Sequence, residues 1–137
     1  MKVSELMQTD LTVVDGDTTV AEAVVILTDA HVSALPVTDV HKRLIGVLST
    51  TDILQAEAEC ASGEDRERLF EGTTVSEIMT PRPVVIRPDA DVREAAQQML
   101  YLDIHRLFVE DQHDLVGVIS QSDVVRAVAT AKLDTSK

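Results

Sequence analysis

The sequence predicts an α+β fold of two β-α-β-β-α units, related by a pseudo-twofold axis and packed sheet to sheet. The first observation behind this is an internal repeat. Aligning 3–39 with 75–111, and 44–54 with 115–125, gives 17 identities in 48 positions with one deletion. The second is that each copy alternates strand-like and helix-like patterns in the same order. The third is that one copy is too short to bury a core alone, so two copies must pack together.

The elements of the unit follow from local signals. Each copy opens with a helical turn, Val-Ser-Glu-Leu/Ile-Met. An extended segment leads to a helix whose start has capping-box spacing, from Thr19 to Glu22 and from Asp91 to Glu94. Two strands joined by a hairpin turn come next, and a final helix completes the unit.

The repeat sets the expected organisation of the chain. We expect a single module over 1–137, with repeat 1 at 3–60 and repeat 2 at 75–130. The segment 61–74 is rich in charged residues and is interpreted as a solvated linker. A frayed tail is predicted for 132–137.

The charge balance limits the partners. The net charge is −12, from 24 acidic residues against 12 lysines and arginines. Such a surface repels a phosphate backbone, and aromatic residues for base stacking make up only 2% of the chain, so no nucleic-acid partner is expected. The acidity itself fits either ordinary solubility or a high-salt habitat.

The cysteine content and the hydropathy of the sequence indicate the cellular location of the protein. Cys60 is the only cysteine, which excludes an intrachain disulfide and indicates a reducing compartment. No apolar run approaches membrane-span length, and the N-terminus lacks the apolar h-region of a signal peptide. We therefore expect a cytoplasmic protein with no membrane partner.

One motif, Gly-Val-x-Ser-x-x-Asp, occurs at 46–52 and again at 117–123. In both places it joins a predicted buried strand to a predicted helix. One interpretation is a helix cap, in which the serine accepts an amide hydrogen bond and the aspartate faces the positive helix end. The other is a ligand site, because a carboxylate can accept both hydroxyls of a ribose and free helix amides favour phosphate. The two interpretations are compatible.

No pattern for catalysis or metal binding is found. The four histidines lack metal-ligand spacing, no glycine-rich phosphate loop is present, and no serine or cysteine nucleophile has a plausible base partner. We expect no catalytic residues, no metal site and no enzymatic activity.

The repeated pattern resembles the CBS domain, named for cystathionine β-synthase, and two in tandem resemble a CBS pair, or Bateman module. The resemblance is carried by the two opening turns, by 32–39 and 104–111, and by the motifs at 46–52 and 117–123. It extends from residue 3 to about residue 127.

The resemblance implies a non-catalytic regulatory module, often a homodimer. Such modules bind adenosine-containing ligands of the AMP, ADP and ATP class, or S-adenosylmethionine, in clefts between the repeats. No obligatory cofactor is implied, and an unidentified effector protein would respond to the bound adenine nucleotide. A ligand-free dimerisation or protein-interaction module, and an S-adenosylmethionine sensor, remain alternatives.

The resemblance also implies two clefts, each lined by both repeats. His105-Arg106 before Leu-x-Val resembles the phosphate-contacting positions in the γ subunits of AMP-activated kinase. Cleft 1 is accordingly expected to contain Val47, Ser49, Asp52, Val84, Ile104, His105 and Arg106. Cleft 2 is expected to contain Thr12, Val32, Ser33, Ala34, Val118, Ser120 and Asp123.

The two clefts are expected to differ in ligand preference. Cleft 1 would prefer a phosphorylated ligand, because cleft 2 has Ser33-Ala34 where cleft 1 has His105-Arg106. Phe108 departs from the common pattern, which has proline there, as at Pro36. We expect its ring to pack in the core.

Overall fold

The computed structural model describes residues 1–135, and describes side chains for residues 1–130. The chain divides into two compact units. The first-repeat unit is Thr12–Pro83, and the second-repeat unit is Met1–Leu11 together with the chain from Val84 onward.

Both units mix helices with a sheet, which confirms the α+β class. The elements in chain order are α1 (Val3–Leu6), β1 (Val14–Asp15), α2 (Val20–Ala30), β2 (Ala34–Thr38), β3 (Leu44–Ser49), α3 (Thr50–Ala58), α4 (Gly63–Gly72), α5 (Val75–Ile78), β4 (Thr80–Pro81), β5 (Val85–Ile86), α6 (Val92–Leu102), β6 (Arg106–Asp111), β7 (Asp114–Ser120) and α7 (Gln121–Thr135). Helix α7 thus enters the segment predicted as a frayed tail, of which residues 136–137 lie outside the described residues.

The two sheets repeat one topology. In the first-repeat unit the strand order is β1-β2-β3-β4, and in the second-repeat unit it is β5-β6-β7. The first strand pairs in parallel with the second in each sheet, and the second pairs antiparallel with the third. Equivalent residues keep the same register, with Val14 opposite Val37 in one sheet and Ile86 opposite Val109 in the other.

The core of each unit is built from aliphatic side chains, with one methionine in the second-repeat unit. In the first-repeat unit it is formed by Val14, Ala23, Leu27, Leu35, Val37, Leu48 and Val75. In the second-repeat unit it is formed by Val3, Ile86, Ala90, Ala95, Met99, Leu107, Val109 and Ile119. Phe108 is also buried, at 5% exposure, which confirms the packing role expected for its ring.

The opening turn of each sequence repeat packs with the body of the other repeat. Helix α1 belongs to the second-repeat unit, where the amide of Val3 donates to the carbonyl of Ala90 at 2.8 Å. Helix α5 belongs to the first-repeat unit, where the amide of Val75 donates to the carbonyl of Thr18 at 2.8 Å. Both valines are fully buried. The compact units are therefore not the same as the repeats seen in the sequence.

The segment predicted as a linker, 61–74, contains helix α4. Ser62 caps this helix, because its hydroxyl accepts the amide of Asp65 at 3.1 Å. Leu69 is buried at 8% exposure, and the carbonyl of Thr73 accepts the amide of Val20 at 3.0 Å. Most residues of α4 are charged, and Leu69 is its one buried side chain. The sequence therefore shows no apolar face that would predict a helix here.

A glycine in the last long strand of each unit allows a second backbone segment to approach closely. A Cβ at Gly46 would meet the sulfur of Met79, and would lie 2.9 Å from the carbonyl oxygen of Thr80. A Cβ at Gly117 would lie 2.7 Å from the sulfur of Met7 and 3.0 Å from the carbonyl oxygen of Gln8. The residue after each opening turn is therefore held against the strand that leads into the Ser-x-x-Asp motif.

We predict that Gly46→Ala and Gly117→Ala each destabilise the protein by about 1–3 kcal/mol, because a Cβ at either position overpacks against a backbone carbonyl. Chemical denaturation of the purified variants measures this change in the free energy of unfolding. Gly63→Ala is the control, since a Cβ there meets nothing within 4 Å. An equal loss in all three variants would contradict the prediction.

Candidate functional site

The Ser-x-x-Asp motifs form reciprocal helix caps at equivalent places in the two units. The hydroxyl of Ser49 accepts the amide of Asp52 at 3.1 Å, and Oδ2 of Asp52 accepts the amide of Ser49 at 2.9 Å. The corresponding distances for Ser120 and Asp123 are 3.2 Å and 2.9 Å. The cap interpretation is confirmed for both motifs, and it leaves Oδ1 of each aspartate for other partners.

The Oδ1 atoms of the two aspartates have different partners. In the first-repeat unit, Oδ1 of Asp52 accepts the hydroxyl of Thr80 at 3.0 Å. In the second-repeat unit, Oδ1 of Asp123 accepts Nε2 of Gln8 at 3.3 Å and Nη1 of Arg126 at 3.4 Å. Asp123 is only 4% exposed, whereas Asp52 is partly exposed. Equivalent carboxylates therefore lie in unequal environments.

His105 and Arg106 lie beside the second motif, within the second-repeat unit. Arg106 is the first residue of β6 and is paired with Ser120 at the end of β7. The carbonyl of His105 accepts the amide of Gln121, the first residue of α7, at 2.9 Å. These contacts place a guanidinium-bearing residue and an imidazole-bearing residue at the start of α7.

A surface pocket of about 370 Å³ lies at this helix start. It is bordered by polar residues of the second-repeat unit, including Gln8, His105, Arg106, Ser120, Ser122 and Asp123. The pocket therefore combines an imidazole, a guanidinium, two hydroxyls and one carboxylate. The donors among these groups suit an anionic ligand, whereas Asp123 is an acceptor.

The first-repeat unit has the same backbone arrangement with other side chains. Ala34, the first residue of β2, is paired with Ser49 at the end of β3. The carbonyl of Ser33 accepts the amide of Thr50, the first residue of α3, at 2.9 Å. Small side chains here replace the imidazole and guanidinium of the other unit.

The predicted site residues divide evenly between the two units. The first-repeat unit holds Thr12, Val32, Ser33, Ala34, Val47, Ser49 and Asp52. The second-repeat unit holds Val84, Ile104, His105, Arg106, Val118, Ser120 and Asp123. Each predicted cleft draws on both units, so the composition of cleft 1 and of cleft 2 stays a prediction. Within a unit, the structure brings together Arg106 and Ser120, which the sequence assigned to different clefts.

Gln8 and Thr80 contact the aspartates and were missed from the sequence. They are equivalent in the repeat, 72 positions apart, and each follows the methionine of an opening turn. Gln8 carries an amide and Thr80 a hydroxyl, so this position is not an identity in the repeat alignment and was not selected as a site position. Both residues directly follow the repeated opening turn, and this shared position was the signal in the sequence that pointed to them.

Two further properties bear on the class of site. Among the described side chains, no group of three or more histidine, cysteine, aspartate or glutamate residues is arranged to hold a metal ion. Within the same part of the chain, no helix has both the length and the apolar character needed to cross a bilayer.

Comparison with known families identifies the class of protein. The family model for the CBS domain matches this chain twice, over residues 3–59 and 75–130. The chain therefore belongs to the CBS domain family and contains a tandem pair, which confirms the resemblance inferred from its repeats.

Individual relatives match over most of this chain. CBS domain-containing protein CBSX1, chloroplastic, of Arabidopsis thaliana is 31% identical over 90% of this chain and 61% of its own length. CBS domain-containing protein YhcV of Bacillus subtilis is 32% identical over 89% of this chain and 81% of its own. The chain spans about three fifths of the length of the two Arabidopsis relatives, CBSX1 and CBSX2.

A solved structure shows the same fold. The crystal structure of CBSX2 in complex with AMP superposes with a TM-score of 0.81 at 31% identity, covering 96% of this chain and 98% of that one. A putative acetoin utilization protein (AcuB) from Vibrio cholerae superposes with a TM-score of 0.82 at 27% identity, covering 100% and 97%.

We predict that Ser49→Ala destabilises the protein by about 1 kcal/mol, because it removes the acceptor that caps α3. Thermal and chemical denaturation measure the change. Thr51→Ala is the matched control, since Thr51 is exposed in the first turn of the same helix and alanine favours helix. Equal stability of Ser49→Ala and the wild type would show that the cap contributes nothing.

Proposed function

We propose that the protein is a non-catalytic regulatory module that binds an adenosine-containing ligand of the AMP, ADP and ATP class in clefts between its repeats. The observation that carries the proposal is the carboxylate of Asp52. It is fixed by a helix cap through Oδ2, yet stays partly exposed at the start of α3. Membership of the CBS domain family and the AMP complex of a 31% identical relative support the same ligand class.

We assign ribose recognition to Asp52. A carboxylate offers about four acceptor sites, and the two hydroxyls of a ribose supply two donors that fit them at once. The cap holds the Asp52 side chain in one orientation before the ligand arrives, so little rotamer entropy is lost on binding. A backbone amide at the start of α3 would add attraction for an anionic group.

Phosphate recognition is assigned to His105 and Arg106. A guanidinium donates paired, charge-assisted hydrogen bonds to phosphate, and an imidazole N–H can donate a further hydrogen bond. In cleft 1 these residues would accompany Asp52, together with Val47, Ser49, Val84 and Ile104. Cleft 2 would combine Asp123, Val118 and Ser120 with Thr12, Val32, Ser33 and Ala34. It would bind a less charged adenosine compound, or bind more weakly.

The regulatory output requires a partner, and we propose a homodimer that acts on a separate effector protein. Exposed apolar side chains on α6 and α7 support this, since Leu100 is 78% exposed, Tyr101 is 89% exposed and Val125 is 67% exposed. No obligatory cofactor and no enzymatic activity are proposed. A cytoplasmic location stays a prediction from the sequence.

The same exposed apolar side chains favour one alternative, a dimerisation or protein-interaction module that binds no ligand. An S-adenosylmethionine sensor is a second alternative within the same fold. Titration separates the three, because an interaction module binds none of the compounds and an S-adenosylmethionine sensor prefers the sulfonium compound to the nucleotides.

We predict that isothermal titration with AMP, ADP, ATP and S-adenosylmethionine gives submillimolar binding of at least one nucleotide. Asp52→Asn should weaken that binding at least about tenfold, because the amide replaces one carboxylate oxygen with a donor that faces the ribose hydroxyls. Asp29→Asn, which removes the same charge from an exposed position on α2, should leave the affinity unchanged. Failure of all four compounds to bind would refute the proposed function.

A further inference from the structure

The two aspartates of the Ser-x-x-Asp motifs differ in how many hydrogen bonds they already accept within their own unit. We infer that Gln8 and Arg126 withdraw Asp123 from ribose binding, so that Asp52 is the ribose acceptor of the chain. The inference rests on the proposed function and adds to it the residues that set the number of working sites.

The backbone around the two aspartates is equivalent, so the difference lies in side chains. Gln8 is bridged to Val118 by two backbone hydrogen bonds, of 2.8 Å and 3.0 Å. Thr80, the equivalent of Gln8, is paired in the same way with Val47, the equivalent of Val118. Each residue therefore reaches its aspartate from the same direction, one with a long carboxamide and the other with a short hydroxyl.

The carboxylate of Asp123 accepts four hydrogen bonds within its own unit. Oδ2 accepts the amide and the hydroxyl of Ser120, both at 2.9 Å. Oδ1 accepts Nε2 of Gln8 at 3.3 Å and Nη1 of Arg126 at 3.4 Å. These donors match the roughly four acceptor sites of a carboxylate. With 4% of Asp123 exposed, little of its surface is open to another donor.

The carboxylate of Asp52 has acceptor sites left. Among the described side chains it accepts the amide of Ser49 at 2.9 Å and the hydroxyl of Thr80 at 3.0 Å. Position 55, the equivalent of Arg126, is a glutamine, and no hydrogen bond joins Gln55 to Asp52. Two acceptor sites thus stay open on a partly exposed carboxylate, which is the number that a ribose diol requires.

The two aspartates differ in the hydrogen bonds that a ribose would have to displace. A ribose that binds Asp123 must first remove Gln8 or Arg126, whose exposed side chains donate to the buried, charged carboxylate. A ribose that binds Asp52 adds hydrogen bonds without removing any. The side chains at positions 8 and 126 therefore lower the ribose affinity of the second motif relative to the first.

Reciprocal exchange of these side chains tests the inference, with AMP as the probe in isothermal titration. The wild type should bind one AMP per chain tightly. Gln8→Thr with Arg126→Gln should add a second site, with an affinity at least about tenfold higher than any second wild-type site. Thr80→Gln with Gln55→Arg should weaken the wild-type site by a similar factor. Gln8→Thr alone should also strengthen AMP binding at the second motif, and this variant does not change the net charge.

Gln97→Thr with Arg93→Gln is the matched control, since it makes the same two exchanges at exposed positions on α6. It should bind as the wild type does, and thermal unfolding should show that all variants stay folded. Two equal AMP sites in the wild type, or exchange variants that bind as the control does, would overturn the inference and leave the proposed function intact. No AMP binding in any protein, wild type included, would overturn both.

Discussion

The close contact between a glycine of each last long strand and the segment after an opening turn is the constraint on which the candidate site depends. Gly46 and Gly117 have no side chain, so a methionine sulfur and a backbone carbonyl fill the space. The residue next to that methionine, Thr80 or Gln8, then reaches the aspartate at the following helix start. A side chain at either glycine would push this segment away from the carboxylate.

The helix cap and the proposed ligand site use different atoms of the same side chain. Oδ2 of Asp52 and of Asp123 accepts the amide of the capping serine, which orders the first turn of α3 or α7. The partners of Oδ1 can therefore differ between the two units while the helix cap stays the same. In one unit it keeps an open acceptor site, and in the other it is bound by an amide and a guanidinium.

The opening turn of each sequence repeat packs in the core of the other unit, whereas the rest of that repeat packs in its own unit. Val3 is buried among side chains of the second-repeat unit, and Val75 among those of the first-repeat unit. Neither repeat, cut at its sequence boundaries, would keep the turn that completes its own core. A truncated single repeat therefore lacks both a buried valine and the residue that contacts its aspartate.

Periodicity and capping are local properties of the chain, so the α+β class, the two copies and the caps at Ser49 and Ser120 could be predicted from the sequence. The burial of Phe108 was also predicted correctly. Only the folded structure shows which opening turn joins which unit, that 63–72 is a helix, and that Gln8 and Thr80 contact the aspartates. These features depend on contacts between residues more than 25 positions apart, or on a single buried side chain in a charged segment. Local sequence patterns do not predict such contacts.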